Sequence, residues 1–286
     1  YLVFNIMKIL IIGKNSFIAK YFIRTGIDNE INYVVCSHSD VPKKFDDFTW
    51  VINFTINPKF FTDKYSEAID QDVLIAKKVS KFQNLKYVMI SSRMVCDSNN
   101  SLTPMLEDCK LKQKQKLNSI YGCNKILSEK YCKSIISSDN LLIIRGSNIF
   151  GYEYGRKSFT GAALNRLACE SEILLDISKK TIRDFIPVNY FSDCLLQLMF
   201  KKCTGLYNIS SGLGTTLEDF CNAIIKGYGG GGIATIGGAI IKDQFILDNQ
   251  KLLGVVSYNI DKNCILQYAI SIGKKLKIKE KGLNNV

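Results

Sequence analysis

Short runs of unbroken apolar residues, separated by stretches of helical periodicity, constrain this chain more tightly than anything else in it. Lys8–Ile12, Ile31–Cys36, Trp50–Thr55, Lys86–Ile90 and Leu141–Arg145 are too short for ordinary helices. They also lack the polar alternation of a half-exposed strand, so they fit strands covered on both faces. Helical patterns lie near Tyr65–Ser80 and from Tyr121 to about Ile136. Alternating strands and helices predict an α/β fold with a Rossmann-type doubly wound parallel sheet. In such sheets ligands gather at the C-terminal strand ends. Gly13, Ser37, Thr55, Ser92 and Gly146 all fall there.

The first strand runs into Gly13-Lys14-Asn15-Ser16-Phe17-Ile18-Ala19, and Tyr21, Phe22 and Ile23 continue at helical spacing. A strand, a tight turn of small residues and a helix cradle a phosphate, because free turn N–H groups and the helix dipole face it. Ser16 and Ala19 stand where such turns often carry glycine, and both remain small. Gly13, Ser16, Phe17 and Ile18 are therefore candidate cofactor contacts. The second strand ends in Ser37-His38-Ser39, with Asp40 slightly late. An acid at the strand end would bind the ribose of NAD. Its absence removes repulsion against a 2′-phosphate, so NADP is expected over NAD, with Ser37, His38 and Ser39 as candidate donors to it. Phe54 and Thr55 complete the expected cofactor cleft.

Ser92 closes the strand that begins at Lys86, and Tyr121 and Lys125 lie four apart, on one face of a helix. A hydroxyl, a phenol and an ammonium brought together form a proton-transfer set. Free tyrosine has a pKa of about 10, and a neighbouring cation lowers it toward working pH. The spacing alone recurs by chance; its weight comes from the strand ends around it.

Composition narrows the alternatives. The chain has 286 residues, 47% hydrophobic and 22% charged, enough for one large domain or two smaller ones. No apolar run reaches the length of a bilayer span. Tyr1–Ile12 reads as a strand rather than a signal peptide, with Met7 a natural start and the first six residues upstream sequence. The ten cysteines form no C-x-x-C pair and His38 is the single histidine, so no metal site is expected. Without an export signal the cysteines read as reduced core residues of a cytoplasmic protein. The formal charge of +12 is densest at Lys110–Lys116 and Lys274–Lys279, both read as solvated faces. No nucleic-acid signature and no membrane insertion are read from it.

Taken in order, several segments resemble the extended short-chain dehydrogenases/reductases, in the NAD-dependent epimerase/dehydratase family that modifies nucleotide sugars. They are Gly13–Ala19, Val51–Thr55, Ile90–Val95, Tyr121–Lys125, Ile144–Gly151, Arg183–Val188 and Gly205–Ile209. The resemblance implies an enzyme of polysaccharide biosynthesis. Ser92, Tyr121 and Lys125 would be catalytic, with Tyr121 as acid/base, Ser92 on the same sugar oxygen and Lys125 on the nicotinamide ribose. Gly146 would border the cofactor. Ser92, Arg93, Asn148 and Arg183 would meet a nucleotide-diphosphate sugar, Asn148 and Arg183 at its diphosphate. The plainer alternatives are an ion pair of Arg183 with Asp184 or another carboxylate, and a turn at Asn148 beside Gly151. Residues 7–150, returning near 182–211, would hold NADP or NAD, and 151–181 with 212–286 the substrate.

Departures from the family pattern narrow the reaction. The 4,6-dehydratases carry an acidic pair directly after the catalytic hydroxyl; Arg93-Met94 stand here. The fucose synthases need a cysteine at Met94 and a later histidine. Asn189-Tyr190 replace an acidic pair common after Val188. What remains suffices for reducing a 4-keto sugar, or for 4-epimerisation through a transient ketone. A non-catalytic nucleotide-binding or scaffold protein is the alternative of another class, and a homodimer is left open. Gly229–Gly232 read as a surface linker, with a mobile loop over the substrate as the alternative.

Overall fold

A computed structural model describes residues 7–29, 31–98, 100–111, 119–237 and 239–283. Tyr1–Ile6, Lys112–Lys116 of the first basic run, the end of the polar loop before Ser119 and the last three residues lie outside them. Six parallel strands form the main sheet: β1 (Lys8–Ile12), β2 (Asn32–Cys36), β3 (Trp50–Asn53), β4 (Lys86–Ser92), β5 (Leu141–Gly146) and β9 (Gly205–Ile209). Their order is β2-β1-β3-β4-β5-β9. The order reverses beside β1, and that switch leaves a crevice at the strand C-termini.

Alternate strand residues feed opposite faces of the sheet. Ile9, Ile11, Ile52, Val88 and Ile144 pack toward α1 (Phe17–Asp28) and α5 (Val188–Phe200). Leu10, Ile12, Val51, Met89 and Ile143 pack toward α2 (Gln71–Val79) and α3 (Ile120–Ile135). Burial on both faces is why these strands are apolar throughout. The helix expected from Tyr65 starts later, because Asp70 accepts from the backbone N–H groups of Asp72 and Val73 and caps α2.

A second core forms around Phe150, Phe185 and Phe220, the last two stacked at 4.0 Å. It gathers β6 (Asn148–Phe150), α4 (Phe159–Glu170), β7 (Glu172–Leu175), β8 (Ile182–Pro187), β10 (Gly214–Thr216), α6 (Leu217–Tyr228), β11 (Gly232–Thr235) and α8 (Lys262–Leu283). The helix α7 (Gln250–Leu253) returns to the main sheet through Leu252. Asp184 ties the two bodies together. Its buried carboxylate accepts from Ser211 Oγ at 2.7 Å and from the N–H groups of Ser211, Gly212 and Leu247.

Two expectations change here. Gly229–Gly232 are not a plain linker: Gly229 ends α6 with φ +96°, and Gly232 opens β11, its N–H bonded to Ser171 O at 3.0 Å. Cys96 and Cys109 are joined in a disulfide across 13 residues, so the reduced reading fails for this pair. Sequence spacing carried no pairing signal; the β-bridge of Cys96 with Leu111 draws the two together. On α8, Lys274, Lys275, Lys277 and Lys279 are exposed while Leu276 is buried, a solvated face as read. Among the described residues no helix is long and apolar enough to cross a membrane.

Candidate active site

The glycine turn is built for close approach. Gly13 has φ +112°, and a Cβ there would sit 2.9 Å from Thr55 Cγ2 and 3.2 Å from the Phe54 carbonyl carbon. Gly13 N–H donates to Cys36 O at 2.8 Å, locking the turn to the end of β2. Ser16 caps α1 without a side-chain hydrogen bond. Gly13, Ser16, Ser37, His38, Phe54 and Thr55 line one cleft of about 270 Å³, which Arg156 also borders. A narrow glycine turn, a helix N-terminus and this donor set fit a dinucleotide pyrophosphate. Phe17 lies at the first turn of α1, beneath Arg156.

The end of β2 differs from the sequence picture. Asp40 accepts from both Ser37 Oγ and Ser39 Oγ, the latter at 3.0 Å, and Ser37 and Ser39 meet at 2.7 Å. Those hydrogen bonds hold the Asp40 carboxyl below the usual carboxylate range. The hydroxyls expected to await a 2′-phosphate are thus turned to a carboxylate.

A second pocket, about 360 Å³, opens beside the first. Ile18, Ser92, Tyr121, Gly146 and Asn148 line it. Ser92 is the last residue of β4 and Tyr121 the second of α3. Gly122 lets these elements meet: a Cβ there would overlap the Met94 carbonyl oxygen. Ser119 Oγ accepts from Gly122 N–H at 3.1 Å and caps α3, fixing the turn that carries Tyr121. The Tyr121 ring stacks on Phe61 at 4.8 Å. Burial pushes its phenol above the ordinary value; Lys125 and a hydrogen bond with Ser92 pull the other way, and Asp72 adds to the rise. The expected net lowering by Lys125 is therefore absent in this state.

Lys125 sits behind Tyr121. It is 3% exposed, with Nζ 2.6 Å from Asp72 Oδ2 and 2.8 Å from Ile90 O. An ammonium has three donors, so one is left over. Asp72 is fixed in turn by Asn53 Nδ2 at 2.7 Å. Neither Asp72 nor Phe61 figured in the sequence reading. The signal for Asp72 was an acid set among Val73, Ile75 and Ala76, all buried on α2.

Arg93 and Arg183 do not line this pocket. Arg93 makes two 2.7 Å bonds to the carboxylate of Asp243 and lies 3.8 Å over the Phe245 ring. Arg183 donates to the same carboxylate at 3.0 Å, while its buried Nε has no hydrogen-bond partner. Burial lowers the Arg183 pKa, with Asp243 opposing and Arg93 reinforcing that shift. Asn148 Nδ2 is likewise buried without a hydrogen-bond partner. A larger hollow, about 430 Å³, opens at the opposite strand ends by Trp50 and Lys86 and contains none of the candidate residues.

A model of the NAD dependent epimerase/dehydratase family matches residues 63–210. No curated protein matches the chain. Among solved structures, a dTDP-glucose 4,6-dehydratase from Bacillus anthracis, in complex with NAD, is similar at 17% identity and TM-score 0.75, covering 94% of this chain and 97% of its own. A UDP-N-acetylglucosamine 4-epimerase from Methanobrevibacter ruminantium is similar at 15% identity and TM-score 0.76, over 96% and 99%. A dTDP-4-dehydrorhamnose reductase from Yersinia enterocolitica is similar at 15% identity and TM-score 0.71, over 92% and 98%.

Proposed function

The chain belongs to the NAD dependent epimerase/dehydratase family, and from that premise we propose that it reduces a nucleotide-activated 4-keto sugar to the alcohol. The observation that carries this reading is the meeting of Ser92 and Tyr121 on one pocket wall, with Lys125 one helical turn behind. A nicotinamide dinucleotide in the neighbouring cleft supplies the hydride. Tyr121 gives its proton to the sugar oxygen as negative charge develops there, and Ser92 donates a hydrogen bond to the same oxygen. Lys125 keeps a positive charge behind the phenol, and its remaining donor would be the one to hold the ribose of a bound dinucleotide. Asp72 and Ile90 O hold that ammonium in place.

Reduction is favoured over elimination because no acid follows Ser92: Arg93 is committed to Asp243, and Met94 has nothing to ionise. Asn148, on the pocket wall, would serve the diphosphate, and Arg183 would join it only by turning from Asp243; each keeps a buried nitrogen without a hydrogen-bond partner. The six-stranded body takes the dinucleotide and the second body the nucleotide sugar. The cofactor reads as NAD rather than the NADP expected from sequence, because the Asp40 carboxylate stands at the end of β2 with both serine hydroxyls engaged.

The test is a panel of nucleotide 4-keto sugars with NADH or NADPH, followed by loss of reduced nicotinamide. Stoichiometric cofactor consumption with one panel member supports the reading. Interconversion of two nucleotide hexoses without net consumption makes the protein a 4-epimerase. No binding of either dinucleotide leaves the non-catalytic alternative.

A further inference from the structure

The segment joining β6 to α4 is held in a defined shape although its tip faces solvent. Gly151 is pressed against α1: a Cβ there would lie 2.7 Å from the Phe17 ring and 2.9 Å from Val188 Cγ1. Arg156 N–H donates to Glu153 O at 3.0 Å, closing a tight turn. Gly155, at φ +82°, donates its N–H to Asn165 Oδ1 at 2.8 Å and pins that turn to α4. Glu153 is buried, and its Oε2 lies 3.5 Å from Arg156 Nε. The Arg156 guanidinium lies over the Phe17 ring, 5.4 Å from its centroid. An arginine steered by a buried carboxylate and an aromatic face has few poses left, so little entropy is lost when it takes a ligand.

That pose puts Arg156 on the rim of the glycine-turn cleft, over the first residue of α1. It comes from a part of the chain to which sequence reasoning gave no cofactor contact. Resting on the dinucleotide reading above, we propose that Arg156 clamps the cofactor's pyrophosphate from the rim of the cleft, adding a guanidinium to the N–H groups of the glycine turn. A guanidinium suits this role because its fixed donors match phosphate oxygens. Glu153 and Ser158 of the same segment line the neighbouring pocket with Tyr121 and Asn148. The clamp therefore belongs to a loop that borders both ligands.

The experiment titrates the protein with NADH by fluorescence and with ADP-ribose by calorimetry, for the wild type, Arg156→Met and Lys157→Met. Both side chains are exposed, but only Arg156 borders the cleft, so the lysine variant removes equal charge without the clamp. Arg156→Met should weaken both ligands by about tenfold or more, as for other charge-assisted hydrogen bonds. Lys157→Met should stay within about twofold of wild type, as surface charges do. Unchanged affinity in Arg156→Met, or equal loss in both variants, overturns the clamp. Failure of the wild type to bind any dinucleotide is a separate result; it removes the cofactor reading and the clamp with it.

Discussion

In the proposed reaction Tyr121 carries the proton chemistry, and its surroundings set the direction of the pH dependence. Burial holds its phenol protonated above the ordinary tyrosine range. Ketone reduction uses the protonated form as acid, so the rate should stay level through neutral pH. It should fall only as pH rises through that raised pKa. The reverse oxidation needs phenolate and should speed up as pH rises, so rate profiles in both directions check the assignment. Tyr121→Phe keeps the ring on Phe61 but removes the proton, and kcat should drop by about 10²–10⁴-fold with cofactor affinity retained. Near-normal turnover in that variant would make Tyr121 a packing residue. At the other cleft, Asp40→Ala frees the Ser37 and Ser39 hydroxyls and removes a carboxylate. NADPH should gain on NADH in that variant, with wild type preferring NADH. Direct titration of both dinucleotides decides it, and a wild type preferring NADPH would restore the expectation drawn from sequence.

At the scale of elements, the candidate site depends on α3 approaching the turn that follows β4 at backbone distance. Gly122 faces the Met94 carbonyl, and any Cβ would push the two elements apart. Gly122→Ala should destabilise the protein by about 1–3 kcal/mol, the usual cost of overpacking. It should also cut kcat more than cofactor affinity, because Tyr121 moves away from Ser92. Unfolding midpoints and steady-state rates measure both, and a variant indistinguishable from wild type would show the contact to be slack. The strand ends and the Tyr121–Lys125 face were legible in sequence because their signals are local: apolar runs, turn residues and a spacing of four. What lay beyond sequence was the partner of each charge. Asp72 is 53 residues from Lys125, and Asp243 is 150 from Arg93 and 60 from Arg183. Periodicity cannot encode such pairs; only the packed sheet brings them together. The weighing of Arg183 against an ion pair with another carboxylate met Asp243, a residue no local pattern points to.

At the scale of the molecule, the apolar packing of the six-stranded sheet and that of the second body are separate, but the chain threads between them repeatedly. It leaves the six-stranded sheet at β6, returns through β8 into α5, leaves again after β9, and comes back at α7 before α8. No contiguous piece holds either core by itself. Buried polar ties strengthen the link: Asp184 gathers N–H groups from residues 211, 212 and 247, and Asp243 binds Arg93 of one body and Arg183 of the other. Loss of either body would strip Asp184 of donors that reach it only when residues 211, 212 and 247 are folded around it. Partial unfolding therefore gives up contacts in both bodies at once, and cooperativity should extend across the whole chain. Calorimetry should find one transition, with calorimetric and van't Hoff enthalpies equal within error. A saturating dinucleotide should move that single transition upward without splitting it, since binding to the native state alone adds stability to the whole cooperative unit. Two resolved transitions, only one of them shifted by the dinucleotide, would mean that each core folds on its own and that the ties through Asp184 and Asp243 are too weak to join them.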